Sequence, residues 1–122
     1  MNELNLLPDH LRKASYSDRE IVLPYHEALL AIDIIVAPKW GLIGWEGWVL
    51  QDEGIGHHQE YQGTVSLSPE QGETWIDFVE RSAEFCRSII VKDQQRFEKD
   101  PSCRGMTLLF CLTASPRDSE AG

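Results

Sequence analysis

Residues 68–92 read SPEQGETWIDFVERSAEFCRSIIVK, and the predicted fold depends on this segment. Ser68, Pro69 and Gln71 have the spacing of a capping box with a proline at the first helical position. On a helical wheel the apolar side chains that follow fill about half of the circumference, which is typical of a helix that covers a sheet. They are Trp75, Ile76, Phe78, Val79, Ala83, Phe85, Cys86, Ile89 and Ile90. The segment predicts one long amphipathic helix that runs from Pro69 to about Lys92 and frays on to Glu98.

The segments on either side of this helix have the patterns of strands. Residues 106–113, MTLLFCLT, are apolar on both faces, so they predict a strand in the interior of a sheet or one covered on both sides. Residues 42–50 are broken by glycines and rich in tryptophan and aliphatic groups, and residues 61–67 alternate between apolar and polar groups. Together they predict a long antiparallel hairpin whose turn, residues 52–60, contains two glycines.

A second, shorter helix is predicted to begin at Pro24, which takes the first helical position, and to continue through residues 25–36, YHEALLAIDIIV. Because apolar groups surround this segment, the helix should be covered on all sides, and a second copy of the chain is one such cover. Two alternatives stay open: residues 32–36 also suit a strand, and residues 19–23 also suit a turn or a short strand.

The predicted fold is α+β, a small two-layer sandwich in a single domain over residues 1–122. An antiparallel hairpin plus a C-terminal strand form the sheet, and one long amphipathic helix and a shorter apolar helix cover it. We expect residues 1–17 to form a loosely ordered N-terminal segment and residues 114–122 to form a disordered tail.

Composition excludes several classes of function. The chain has 11 basic and 20 acidic residues, a net charge of −9, which disfavours nucleic-acid binding and favours a basic protein partner. The N-terminus lacks the pattern of a signal peptide, and no apolar run approaches the ~20 residues that span a bilayer, so we expect a cytoplasmic protein without membrane contact. Three cysteines without a CxxC pair suit buried thiols in a reducing compartment.

Motifs of catalysis and cofactor binding are weak. His26 and Glu27 begin like the HExxH zinc motif, but Leu30 stands where the second histidine is required. His58 and Glu60 share one face of an extended chain and offer two metal ligands without an evident third. The chain has no GxSxG elbow, GxGxxG turn or P-loop. We therefore expect neither a metal nor another cofactor.

The candidate contact residues surround two tryptophans in the stretch GWEGW at 44–48. Trp45 and Trp48 should point to opposite faces of the strand, so that one enters the core and the other is available to a partner. The leading hypothesis is a small acidic binding or interaction protein without catalysis. It would be a homodimer that blocks a basic protein partner through Trp45, Glu46, Trp48 and the first helix of the chain, at residues 25–36. The alternative is a small enzyme or ligand-binding protein with a polar pocket between the hairpin and the first helix. That pocket would be formed by His26, Asp33, Glu46, His58 and Glu60.

Overall fold

The computed structural model describes residues 3–51, 54–56 and 64–116, which form an α+β sandwich of one antiparallel sheet and a layer of helices. The α-helices are α1 (Asp9–Ala14), α2 (Tyr25–Val36) and α3 (Trp75–Lys99). The strands are β1 (Ile21–Pro24), β2 (Gly41–Gln51), β3 (Gly54–Gly56), β4 (Thr64–Ser66) and β5 (Thr107–Ser115). Short 3₁₀ turns cover Glu3–Leu6 and Pro101–Cys103.

Strand β5 lies inside the sheet, as its two-sided apolar pattern predicts. It pairs antiparallel with β1 on one side and with β2 on the other. Leu108, Phe110 and Leu112 belong to the main core, and Leu109 and Cys111 belong to a smaller cluster on the opposite face. The strand runs on to Ser115, beyond its predicted end at Thr113.

The predicted hairpin is confirmed in the pairing of β2 with β4, which brings Gly44 opposite Ser66. The predicted turn contains a further strand, β3, which folds back on the end of β2 so that Leu50 pairs with Ile55 in the backbone register. Both β3 and β4 therefore pair with β2 at the edge away from β5.

Strand β1 corrects the prediction that a helix begins at Pro24. Pro24 is the last residue of β1 and precedes α2, so it is not the first helical residue. An edge strand tolerates proline because one side of its backbone needs no sheet partner. On the outer edge of β1, the backbone groups of Val22 form hydrogen bonds with the preceding segment: the Val22 N–H donates to Ser15 Oγ, and the Tyr16 N–H donates to the Val22 carbonyl.

The N-cap of helix α3 lies six residues after the predicted cap at Ser68, which is the second correction. The N-cap is Thr74, whose Oγ1 accepts a hydrogen bond of 3.1 Å from the Asp77 N–H. Gly72 has a φ of +82°, a left-handed conformation that a helix cannot contain. The helix then continues to Lys99 and packs on β2, β5 and α2.

Helices α2 and α3 lie on the same face of the sheet. The buried side chains of α2 are Ala28, Ala31, Ile32 and Ile35, so residues 32–36 are helical and the strand alternative is wrong. The N-terminal segment covers α2 further, because Leu4, Leu7 and Leu11 are buried in the same core. Most of the apolar surface of α2 is therefore covered within one chain, while Leu30 remains 52% exposed.

Candidate functional site

The two tryptophans of β2 point to opposite faces of the sheet, as their spacing predicts. Trp45 is 3% exposed, lies in the core under the helices and has its ring centroid 6.2 Å from that of Phe110. Its indole Nε1 is buried without a hydrogen-bond acceptor among the described residues. Trp48 is half-buried on the other face and packs against the small cluster of Val22, Leu109 and Cys111.

The face that carries Trp48, called the outer sheet face below, is formed by strand residues. In the described part of the chain, the apolar cluster on this face contains only side chains of β1, β2 and β5. Glu46, Trp48 and Leu50 follow one another along it, because alternate residues of a strand share a face. Glu46 lies opposite Cys111 of β5, next to Trp48, which lies opposite Leu109.

A depression of about 230 Å³ lies at the acidic end of the outer sheet face. It is lined by Glu20, Ile43, Gly44, Trp45, Glu46, Val65, Ser66, Cys111 and Thr113. Burial, and to a smaller extent the carboxylates of Glu20 and Glu46, together raise the pKa of the Cys111 thiol to about 12. Because a thiol with so high a pKa stays protonated at neutral pH, Cys111 is not a nucleophile in the folded chain. The depression combines carboxylates with hydroxyl groups, so its chemistry suits a cation.

The structure does not bring together the described members of the predicted polar pocket. His26 and Asp33 lie exposed on α2, on the helical side of the sheet, whereas Glu46 lies on the outer sheet face. Asp33 forms an ion pair with Arg87 of α3. His58 and Glu60 lie outside the described residues. Within the described ranges, no three histidine, cysteine, aspartate or glutamate side chains are close enough together to hold a metal ion.

A cleft of about 720 Å³ lies elsewhere, between the first turn of α2, the end of α3 and the loop into β5. It is lined by Pro24, Tyr25, His26, Glu27, Gln94, Phe97, Glu98, Lys99, Asp100, Pro101, Cys103, Arg104, Gly105, Met106, Thr107 and Leu108. Tyr25, His26 and Glu27 of the first turn of α2 line this cleft, and Pro24 at the N-cap gives α2 no side-chain cap hydrogen bond. On its wall, Gln94 Nε2 donates to Glu98, and the Oε1 of Gln94 is buried without a donor among the described residues.

Sequence reasoning missed this cleft because no local motif marks it. Its walls are the ends of elements that are far apart in the sequence, and only the packing of α2 against α3 brings them together. The one available signal is Pro24 before a helix, which removes the usual capping side chain from the helix N-terminus.

No protein-family model, curated protein or solved structure matches this chain. No helix within the described ranges is both long and apolar enough to cross a bilayer. The geometry and charge of the described surfaces therefore carry every functional conclusion.

Proposed function

We propose that the chain is a small interaction protein without catalytic activity, which binds a basic protein partner through the outer sheet face. The observation that carries the proposal is the half-buried Trp48 beside Glu46 on a face whose apolar cluster, among the described residues, consists of strand side chains. Tryptophan is among the residues that contribute most to binding energy at protein interfaces. The contact surface differs from the one that the sequence predicts. Trp45 lies in the core, and α2, the predicted first helix, lies on the face of the sheet opposite to the outer sheet face.

The apolar centre of the proposed contact surface consists of Trp48 and Leu50, both half-buried. Interfaces commonly place such groups at the centre and polar groups at the rim. Thr107 and Thr113 are exposed on β5 at either end of the surface and provide polar groups at its rim.

The charge of the surface supports a basic partner. Glu20 and Glu46 line the depression at one end of the outer sheet face, and the chain as a whole carries a charge of −9. A lysine or arginine of the partner would enter this depression, with its charge between the two carboxylates. Such complementarity speeds association and makes binding sensitive to salt.

The experiment is capture of partners from the native host on the tagged chain, followed by mass spectrometry and by binding measurements with the purified partner. We expect a partner with a basic surface whose binding is lost on Trp48→Ala and weakened on Glu46→Lys. The matched control is Glu98→Lys, the same change of charge on α3 behind the sheet, which should leave binding unchanged. A partner that is acidic, or that binds the Trp48→Ala variant as tightly as the original chain, contradicts the proposal.

We also propose that the chain acts in the cytoplasm and forms a homodimer. All three cysteines are buried free thiols, which suits a reducing compartment. The outer sheet face is assigned to the basic partner, and most of the apolar surface of α2 is covered within the chain. We therefore place the surface for self-association on the exposed side chains of the helical layer.

A second candidate function, binding of a small ligand or a reaction on one, is favoured by the cleft at the end of α3. Its volume of about 720 Å³ is within the usual range of ligand sites, which is roughly 300–1,000 Å³. The test is an NMR titration with a panel of small carboxylates and phosphates. Shifts confined to the cleft and abolished by Arg104→Ala would support this function, and a panel without cleft-specific shifts would reject it for these ligands.

A further inference from the structure

Five exposed residues follow one another along α3 at a spacing of four, forming one ridge of the helix surface. They are Glu80, Glu84, Ser88, Lys92 and Arg96, called the α3 ridge below. Two acids precede the small central serine, and two bases follow it. The charge pattern therefore reverses when the ridge is read from the other end.

Ion pairs among the described residues do not account for three of the four charges of the α3 ridge. Glu80, Glu84 and Lys92 form no ion pair with any residue that the structure describes. Glu80 and Glu84 are one turn apart on the same face, an arrangement that disfavours the helix because the charges repel. The helix dipole does not account for the pattern either, because its effect is confined to the first and last turns, and Glu84 and Lys92 lie well inside Trp75–Lys99.

We propose that the α3 ridge is the interface of the homodimer, in which α3 crosses α3 of a second copy in antiparallel sense at Ser88. The two-fold symmetry of such a contact brings each residue beside the one equally far on the other side of Ser88. Glu84 then lies beside Lys92 of the second copy, and Glu80 beside its Arg96. This inference rests on the homodimer proposed above and adds the surface that forms it.

Helix packing geometry supports the same arrangement. Ridges of residues four apart become parallel when two helices cross at about −50°, the commonest class of helix packing. A shallow depression of about 390 Å³ lies at the proposed crossing point and is lined by Glu84, Arg87, Ser88, Val91 and Lys92. The small Ser88 side chain at this point allows close approach, and the depression offers room for side chains of the second helix.

The surrounding surface supplies apolar contact and enough area for a modest interface. A groove of about 380 Å³ between α2 and α3 contains Val36, Ala37 and Ile76, and Ile76 is 53% exposed. With helices roughly 10 Å wide and a rise of about 1.5 Å per residue, the outward faces of α2 and α3 together present at most roughly 550 Å². Since stable interfaces begin at roughly 600 Å² per partner, we expect a dimer that dissociates at micromolar concentration and weakens with salt.

Light scattering and sedimentation equilibrium on the full chain and its charge variants test the interface. The original chain should be a dimer at low salt, and Glu84→Lys or Lys92→Glu alone should each weaken dimerisation by at least about tenfold because like charges then face each other. The two single variants mixed in equal amounts should form a heterodimer, because each supplies the charges that the other lacks. The double variant E84K/K92E should dimerise again.

Two matched controls change the same charges away from the ridge: Asp18→Lys before β1 and Lys13→Glu on α1, both at exposed positions. They should leave the dimer intact, and circular dichroism should show the same helix content in every variant. A monomeric original chain overturns both the homodimer and its interface. A dimer that persists equally in Glu84→Lys, Lys92→Glu and the controls overturns the interface alone.

Discussion

At the scale of single residues, Gly41 shows how closely β2 and α3 approach each other. A Cβ added there would lie 2.7 Å from Phe78 Cε2 and 3.1 Å from Trp75 Cζ2. Gly41→Ala should therefore lower the free energy of unfolding by roughly 1–3 kcal/mol, the usual cost of overpacking. Urea denaturation measures it, and Gly44→Ala, whose Cβ would meet nothing closer than Thr113 Cβ at 3.4 Å, is the control. Equal midpoints for the two variants would contradict the prediction.

Among the described residues, Ser82 is the one polar residue that is buried in the core. It is fully buried, donates through Oγ to the Val79 carbonyl at 3.0 Å and accepts from the Leu42 N–H at 3.1 Å. Ser82→Ala should cost roughly 1–3 kcal/mol in the free energy of unfolding, because the Leu42 N–H stays buried and loses its acceptor. Ser88→Ala, the same change at an exposed position of the same helix, should change it by less than about 0.5 kcal/mol in thermal or urea denaturation.

At the scale of elements, the start of α3 shows what a local motif leaves undecided. The cap predicted from the sequence, Ser68 with Gln71, does not cap the helix, whereas Thr74, which accepts from the Asp77 N–H, does. Glu73 decides between them: its carboxylate accepts from the Glu70 N–H at 2.9 Å and forms two hydrogen bonds with Arg81. This holds residues 68–73 in a turn, and Arg81 also donates to the Ser68 carbonyl. The amphipathic pattern predicts the helix, but contacts outside the pattern set its first residue.

The acid sensitivity of this turn follows from the same ion pair. The hydrogen bonds from Arg81, and then the one from the Glu70 N–H, lower the pKa of Glu73 to about 2 from its ordinary value of 4.5. Because the pKa is lower in the folded state, the stabilisation is complete above pH 4.5 and is lost as the pH falls from 4.5 towards 2. Glu73→Gln should unfold at lower urea at pH 7 and show a flatter dependence of stability on pH between 4.5 and 2.

The control for this titration is Glu70→Gln, whose carboxylate lies 3.7 Å from Arg81 Nε and is more exposed. It should keep the slope of the original chain between pH 4.5 and 2. If Glu73→Gln keeps that slope as well, the ion pair does not anchor the turn.

Strand β1 was only one of the alternatives left open for residues 19–23, for a related reason. Four residues that end in proline carry too little pattern to be distinguished from a turn, and Ile21 to Leu23 become a strand only because β5 is there to pair with them. The reverse holds for β5, whose apolar residues on both faces indicate a central strand before any partner is known.

At the scale of the whole molecule, the alternation of side chains along a strand predicts that Trp45 and Trp48 lie on opposite faces of the sheet. It does not predict which side chains from different elements come together in one pocket. Whether His26 can approach Glu46 depends on which face of the sheet α2 covers, and that is decided by the core side chains of both helices. The same packing creates the cleft at the end of α3, for which the sequence offers no signal beyond Pro24 before α2.

Whether the sandwich unfolds as one unit can be tested with its own thiols. Cys86 lies in the core under the helices and Cys111 in the cluster on the outer sheet face, and burial raises the pKa of each thiol to about 12. Since only the thiolate reacts with an alkylating reagent, both should react only when the chain opens. If the chain is a single cooperative domain, the two cysteines should be labelled at the same rate, and both rates should rise with urea in parallel. Peptide mapping after pulses of iodoacetamide measures this. Faster labelling of Cys111, with little dependence on urea, would mean that the outer sheet face opens locally, and the proposed contact surface would then form only when a partner binds.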